Sequence, residues 1–141
     1  MQKSYTTSLN LSQVDIGLLI FRIGISALML THGVPKLITF FGEEEISFMD
    51  PIGLGEVTTF TFAVFAEFVC AVLIMLGFAT RLAAIPIVCT MITAALIVHI
   101  SDGWGRQELP FLYLLGFLLL LITGAGKYSL DHFLLMNRKK K

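Results

Sequence analysis

The chain has 141 residues, of which 56% are hydrophobic and 14% are charged, and its mean hydropathy is +0.85. A soluble domain carries about 25% charged residues, so this composition excludes an ordinary soluble domain and indicates a membrane protein. The formal net charge is zero, which leaves no basic surplus for nucleic-acid binding.

The polar N-terminal stretch MQKSYTTSLNLSQVD precedes the first apolar run. We predict that the two together are not a cleaved signal peptide. The apolar run is too long for the hydrophobic region of a signal peptide, and no A-x-A-like cleavage site follows it.

Four apolar runs then follow, and each is long enough, or nearly so, to cross a bilayer, which takes about 20 residues. The predicted spans are residues 15–38, 59–78, 82–100 and 109–125. The sequence therefore predicts an all-α, polytopic membrane protein, folded as one antiparallel four-helix transmembrane domain over residues 1–141.

The connections between the spans differ in composition. Residues 39–58 form an acidic loop with Gly and Pro, only ATR separates spans two and three, and residues 101–108 are short and polar. The tail, residues 127–141, offers Ser129 as a helix N-cap before an apolar patch and a basic cluster. We predict that the tail forms a short interfacial helix.

Lysines and arginines are distributed unevenly between the two sides, and this bias sets the orientation of a membrane protein. The acidic loop and residues 101–108 hold most of the acids, whereas the termini and the ATR hairpin hold most of the cations. We predict a bacterial inner (plasma) membrane protein with both termini in the cytoplasm. The cations on that side are Lys3, Arg81, Lys127, Arg138, Lys139, Lys140 and Lys141.

Ionisable side chains inside the spans are candidates for function, because they are costly in hydrocarbon and usually paired. Arg22 lies roughly 10 Å from the cytoplasmic end of span one, and Glu67 lies roughly 16 Å from the same end in span two. An extended arginine side chain could cover that difference, so we predict an intramembrane Arg22–Glu67 ion pair. A purely structural clamp that fixes helix register is the alternative.

Other polar residues are expected at the outer end. His32 and Lys36 share one helix face, His99 lies at a similar depth, and Glu108 opens span four. They could line an outer pocket in which histidines exchange protons or donate hydrogen bonds to a quinone carbonyl. The alternative is that water or lipid headgroups satisfy the two histidines.

No metal site is expected, since two histidines without a clear third ligand are a weak signal. Gly33 and Pro35 indicate close packing and a kink. Cys70 and Cys89 are interpreted as buried, inert thiols, with a redox pair as the alternative.

The assembled residues resemble those of the DoxX family of small four-helix membrane proteins. The matching pieces are FRIGISALMLTHGVPKL, FAEFVCAVLIMLGFATRLAA and ELPFLYLLGFLLLLITGAGKYSLDHFL, which together cover nearly the whole chain. The polar pattern of the family falls on these positions: Arg22, His32, Gly33, Lys36, Glu67, Gly77, Arg81, Ser129 and Asp131.

The resemblance implies two classes of function. Related proteins look like membrane subunits of thiosulfate:quinone oxidoreductases or parts of thiol-stress complexes, so one hypothesis is an accessory or quinone-interacting subunit. It has no covalent cofactor, and a quinone, a bound lipid or a partner subunit supplies the chemistry. The other hypothesis is a non-catalytic scaffold, assembly factor or lipid-binding protein. Transport of a small solute or proton, and assembly as a homo-oligomer, also stay open.

Overall fold

The structure, a computed structural model, describes residues 10–43 and 45–138. Helices are the only regular elements in these two ranges, which confirms the prediction of an all-α protein. Four of the helices are long and apolar enough to cross a membrane, as expected for a four-helix bundle. Predictions for Lys3, Glu44, the side chain of Arg138 and Lys139–Lys141 lie outside the described residues.

Helix α1 spans Leu11–Phe41 and is longer at both ends than the predicted span 15–38. Asn10 caps it, because its side-chain oxygen accepts a hydrogen bond from the Ser12 N–H at 3.1 Å. Pro35 lies inside the helix.

Helix α2 spans Glu56–Leu76 and contains a π-helical turn at Phe65–Cys70. It ends at Gly77, whose φ of +72° places it in the left-handed region that glycine adopts without strain. Helix α3 spans Thr80–Val98 and closes with a second π-helical turn, Ala94–Val98. These two helices form the predicted hairpin around ATR.

Helix α4 spans Trp104–Thr123, whereas the sequence predicted a start near residue 109. The chain turns into the helix at Gly103, with φ +80°, so the polar residues WGRQE form the first turn instead of the loop. Pro110 lies inside α4, after its first turn. A short helix, α5, spans Leu130–Arg138 in the predicted interfacial segment.

The four long helices pack in a ring, α1 on α2, α2 on α3, α3 on α4 and α4 back on α1. We call the end with residues 42–55 and 99–103 the loop side and the end with Gly77 and residues 124–138 the terminal side. The core is densest toward the terminal side, where large side chains are fully buried: Met29, Ile74, Ile87, Phe117 and Leu120.

Candidate functional site

An ion pair lies inside the bundle between α1 and α2. Lys36 Nζ donates a hydrogen bond to Glu67 Oε2. The Glu67 side chain is only 6% exposed and that of Lys36 is 26% exposed. A buried carboxylate needs such a partner, because removing a lone charge from water costs several kcal/mol.

Close backbone packing places Glu67 next to Lys36. A Cβ at Gly33 would overlap the Glu67 carbonyl oxygen and lie 2.9 Å from the Phe68 nitrogen. Only a glycine therefore lets α1 approach this segment of α2. The contact falls on the π-helical turn Phe65–Cys70, an irregularity that is frequent at functional sites.

The predicted Arg22–Glu67 ion pair is wrong, because the two residues lie at different depths. Gly33 marks the level of Glu67, and Arg22 precedes it by three helical turns, roughly 16 Å along the axis. An arginine side chain cannot cover that distance. Lys36 lies one turn beyond Gly33 and reaches the carboxylate instead.

Arg22 holds the terminal side of the bundle together. Its guanidinium donates hydrogen bonds to the Ala125 carbonyl at 2.8 Å and to the Tyr128 carbonyl at 2.9 Å, and Arg22 is 2% exposed. Gly77 gives it room, since a Cβ there would overlap Arg22 Nη1. The arginine thus ties α1 to the segment that leads into α5.

Asp131, in α5, adds a second connection, to the hairpin between α2 and α3. Its carboxylate accepts hydrogen bonds from the N–H groups of Ala79 at 2.8 Å and Thr80 at 3.1 Å, which start α3. Its own N–H donates to the Gly77 carbonyl at 2.9 Å. Ser129 Oγ accepts from His132 N–H at 3.2 Å, as a helix N-cap does.

Arg81 belongs to the same end of the bundle. Its Nη2 donates to the Ile122 and Thr123 carbonyls at 3.2 and 3.4 Å. These carbonyls lie in the last turn of α4, where carbonyl groups have no intrahelical donor. Five residues of the polar pattern shared with the DoxX-like sequences therefore act at two places. Gly33 acts at the ion pair, and Gly77, Arg81, Ser129 and Asp131 act at the terminal side.

A cavity of about 690 Å³ lies on the loop side between α2 and α3. Its wall is mostly apolar, and its charged and titratable groups are the Lys36–Glu67 ion pair, His99 and the Cys89 thiol. Phe62 and Phe65, on the apolar and membrane-spanning helix α2, line it and are about half exposed. The cavity is thus reachable from the lipid phase.

The acidic loop covers this cavity, with Phe48, Met49 and Leu54 in its lining. Asp50 fixes the loop, since its carboxylate accepts hydrogen bonds from Thr59 Oγ1 at 2.7 Å, the Gly55 N–H at 2.7 Å and the Leu54 N–H at 3.1 Å. The Thr59 hydroxyl, and then these backbone groups, hold the pKa of Asp50 below its ordinary value.

A second cavity of about 180 Å³ lies on the other side of the ion pair, toward α4. It brings together three of the four predicted pocket residues, His32, Lys36 and His99, and adds Glu67. Glu108 was predicted to join them but is exposed and lines neither of the two cavities. Because α4 begins at Trp104, residue 108 already lies on a helical face directed away from the ion pair.

His99 is fixed at the mouth of the second cavity. Its Nδ1 lies 2.9 Å from Asp102 Oδ2, and Arg106 Nη1 donates to the same oxygen at 3.4 Å. The hydrogen bond with His99, and then the charge of Arg106, lower the pKa of Asp102. The ring of His32 packs edge-on against Tyr113, with centroids 5.7 Å apart.

The two cysteines have different surroundings. Cys70 is buried in the core, whereas Cys89 is exposed and lines the large cavity. The prediction that both are buried is therefore wrong for Cys89, which points out of the packed core. Within the described ranges, no three His, Cys, Asp or Glu side chains gather to hold a metal ion.

Comparison with known proteins shows which family this arrangement belongs to. The family model described as DoxX matches residues 17–100. The chain belongs to the DoxX family. The match covers both residues of the ion pair, Lys36 and Glu67, together with Arg22, Gly33 and Gly77. The terminal-side hydrogen bonds described above all involve residues between 122 and 132, beyond the matched region.

The curated relatives are bacterial membrane proteins. Inner membrane protein YqjF of Escherichia coli (strain K12) is 32% identical over 129 residues, covering 89% of this chain and 95% of the relative. Inner membrane protein YphA of the same organism is 36% identical over 124 residues, with 81% and 87% covered. The uncharacterized membrane protein Rv3486 of Mycobacterium tuberculosis is 33% identical over 81 residues, with 46% and 48% covered. No solved structure matches the chain.

Sequence reasoning missed three residues of the site. Asp50 appeared as one of several acids in a loop, although the pattern D-x-x-x-L-G could have suggested a carboxylate that caps its own turn. Arg106 was missed because the start of α4 was placed too late, and Tyr113 was missed because it lies within the apolar run of the predicted span four. Once α4 begins at Trp104, both fall on the helix face that meets α1 and α3.

Proposed function

We propose that this DoxX protein is a membrane subunit that binds a quinone-type ligand and acts with a partner oxidoreductase subunit. The names of its relatives support a bacterial inner membrane location. The single observation that carries the proposal is the large apolar cavity with the Lys36–Glu67 ion pair in its wall.

The size and lining of the cavity suit an amphipathic, membrane-soluble molecule. Small-molecule pockets range from about 300 to 1,000 Å³ and pair an apolar wall with a few fixed polar groups, and the 690 Å³ cavity fits that pattern. A quinone head would lie against the ion pair, and its isoprenoid tail would follow the apolar wall toward lipid.

The polar groups match the chemistry of a quinone ring. The Lys36 ammonium can donate a hydrogen bond to a quinone carbonyl, and the Glu67 carboxylate can accept a proton from a hydroquinone hydroxyl. Reduction of a quinone consumes two electrons and two protons. The side chains of this protein would bind the head and exchange protons, and a partner redox subunit would exchange the electrons.

A non-catalytic lipid-binding or scaffold role is the second candidate. It is favoured by the apolar wall of the large cavity, which an acyl chain would also fill, and by the dense packing of the terminal side. The two candidates differ in what the polar groups contact. A lipid tail leaves the ion pair unused, whereas a quinone head requires it.

Binding measurements separate the candidates. The protein is purified gently in lipid nanodiscs, its bound small molecules are identified by native mass spectrometry, and a short-chain quinone is titrated. We expect quinone to be retained and Lys36→Met to lower its affinity roughly tenfold or more, because a hydrogen bond to a charged donor is lost. Lys127→Met, the same change at an exposed terminal-side site, is the matched control. Equal affinity in both variants would exclude the quinone role.

A further inference from the structure

The two cavities meet at the ion pair and differ in character. Both are lined by Lys36, Glu67, Ala94 and His99. The large cavity is apolar and reachable from lipid, whereas six of the eleven residues around the small one are polar or titratable: His32, Lys36, Glu67, His99, Arg106 and Tyr113. Glu67 therefore stands between an apolar compartment and a polar one.

The polar cavity leads toward the loop side. Arg106 lies in the first turn of α4 with its side chain 73% exposed, and the side chains of His99 and Asp102 are each 31% exposed. The volume of about 180 Å³ is enough for several water molecules, each of which takes about 30 Å³ in the liquid. On the terminal side of the pair, Met29 and Ile87 are fully buried.

We propose that the polar cavity is the route by which protons pass between water on the loop side and the Glu67 carboxylate. The proposal rests on the quinone role of the large cavity and deepens it by assigning the side from which protons arrive. The carboxylate takes one proton from a cavity water or a protonated histidine, and a proton from loop-side water replaces it. No electron moves in this step.

The charged and titratable groups around Glu67 are suited to such a relay. Helix α1 contributes Lys36 and His32, α3 contributes His99, and α4 contributes Arg106 and Tyr113. Histidine is the side chain whose ordinary pKa permits both gain and loss of a proton near neutral pH. Asp102 holds the His99 ring in place at 2.9 Å. While Glu67 is ionised, the cations Lys36 and Arg106 balance the carboxylates of Glu67 and Asp102. When Glu67 is protonated, the Lys36 ammonium, whose side chain is 26% exposed, lies beside the polar cavity.

Access of water is tested by cysteine modification in oriented proteoliposomes. Met91 lines the polar cavity, and Ile87, one turn earlier on α3, is fully buried and lines neither of the two cavities. In a Cys89→Ser background, a small, charged, membrane-impermeant thiol reagent should modify Met91→Cys from the loop side. Ile87→Cys should stay unmodified from either side. An unreactive Met91→Cys, or equal reaction from both sides, would overturn the route.

Proton transfer itself is tested by infrared spectroscopy after a pH step on the loop side. The carboxyl band that disappears in Glu67→Gln identifies the residue. We expect the double substitution His32→Gln with His99→Gln to slow protonation of Glu67 roughly tenfold or more, with an unchanged melting temperature as the folding control. An unchanged rate would overturn the relay. Neither experiment contains quinone, so failure here is distinguishable from failure of quinone binding.

Discussion

At the scale of single residues, the protein concentrates its buried charge at two levels along the bundle. Lys36 and Glu67 pair with each other halfway along α2, and Arg22 bonds to backbone carbonyls at the terminal side. The sequence identified all three residues as important, because charges in apolar runs are rare. It paired them wrongly, because the depth estimate took the ends of spans one and two as level. Arg22 instead lies beside Gly77, where α2 ends, and Glu67 lies beside Gly33.

Lys36 and Glu67 should show strong coupling in a double-mutant cycle. Lys36→Met leaves an unpaired buried carboxylate and should lower the free energy of unfolding by about 3 kcal/mol or more. Adding Glu67→Met removes that charge and should restore most of the loss. Unfolding is followed in mixed micelles as denaturing detergent is increased. Additive effects of the two substitutions would contradict the pairing.

Gly33 should tolerate no side chain. Gly33→Ala introduces a methyl group into the Glu67 backbone and should destabilise the protein by about 1–3 kcal/mol, as overpacking does. Gly24→Ala, on the same helix with open space around the added Cβ, should be neutral or stabilise by up to about 1 kcal/mol. Similar melting temperatures for the two variants would argue against the close approach of α1 and α2.

At the scale of elements, the helices were predictable and their irregularities were not. Length and hydropathy predict four spans, but the residues FAEFVC do not predict a π-helical turn, which coincides with the tertiary contact at Gly33. The early start of α4 was missed because a polar first turn resembles a loop. The role of the SLD segment in joining α5 to the start of α3 also depends on tertiary contacts.

Asp131 should behave as a helix cap supplied from another element. Asp131→Ala removes the acceptors of the Ala79 and Thr80 N–H groups and should cost about 1 kcal/mol. Asp131→Asn keeps one acceptor and should cost less. Thermal unfolding of the unchanged protein and the two variants measures their order of stability. An equal loss of stability in Asp131→Asn and Asp131→Ala would rule out capping as the main role.

Asp50 should make the loop over the large cavity sensitive to acid. The Thr59 hydroxyl and the loop N–H groups lower the pKa of Asp50 in the folded protein. The stability that Asp50 contributes to the loop is therefore complete above its ordinary pKa of 3.8 and is lost as the pH falls through the lower folded value.

Amide hydrogen exchange measures this effect. Protection of the Leu54 and Gly55 amides, corrected for intrinsic rates, should fall in that acidic range, and Asp50→Asn should reduce it already at neutral pH. Glu45→Gln, at an exposed carboxylate of the same loop, should leave it unchanged. Equal protection in both variants would show that Asp50 does not hold the loop.

At the scale of the whole molecule, a packed terminal half supports an open loop half. Arg22, Gly77 and Asp131 join α1, α2, α3 and α5 at one end, while the cavities and the ion pair lie toward the other. Rigid support at one end and accessible polar groups at the other are what a ligand-binding membrane subunit needs. The sequence predicted the four-helix membrane bundle and the family, but the cavities come from side chains that meet only in the fold.

Protection of Cys89 by quinone tests the central claim most directly. Cys89 lines the large cavity and is exposed, whereas Cys70 is buried in the core and serves as the internal control. With a lipid-soluble maleimide, saturating short-chain quinone should slow modification of Cys89 severalfold or more in the native protein and much less in Lys36→Met, with Cys70 unmodified throughout. Modification of Cys89 at the same rate with and without quinone would contradict the assignment of this cavity as the quinone site.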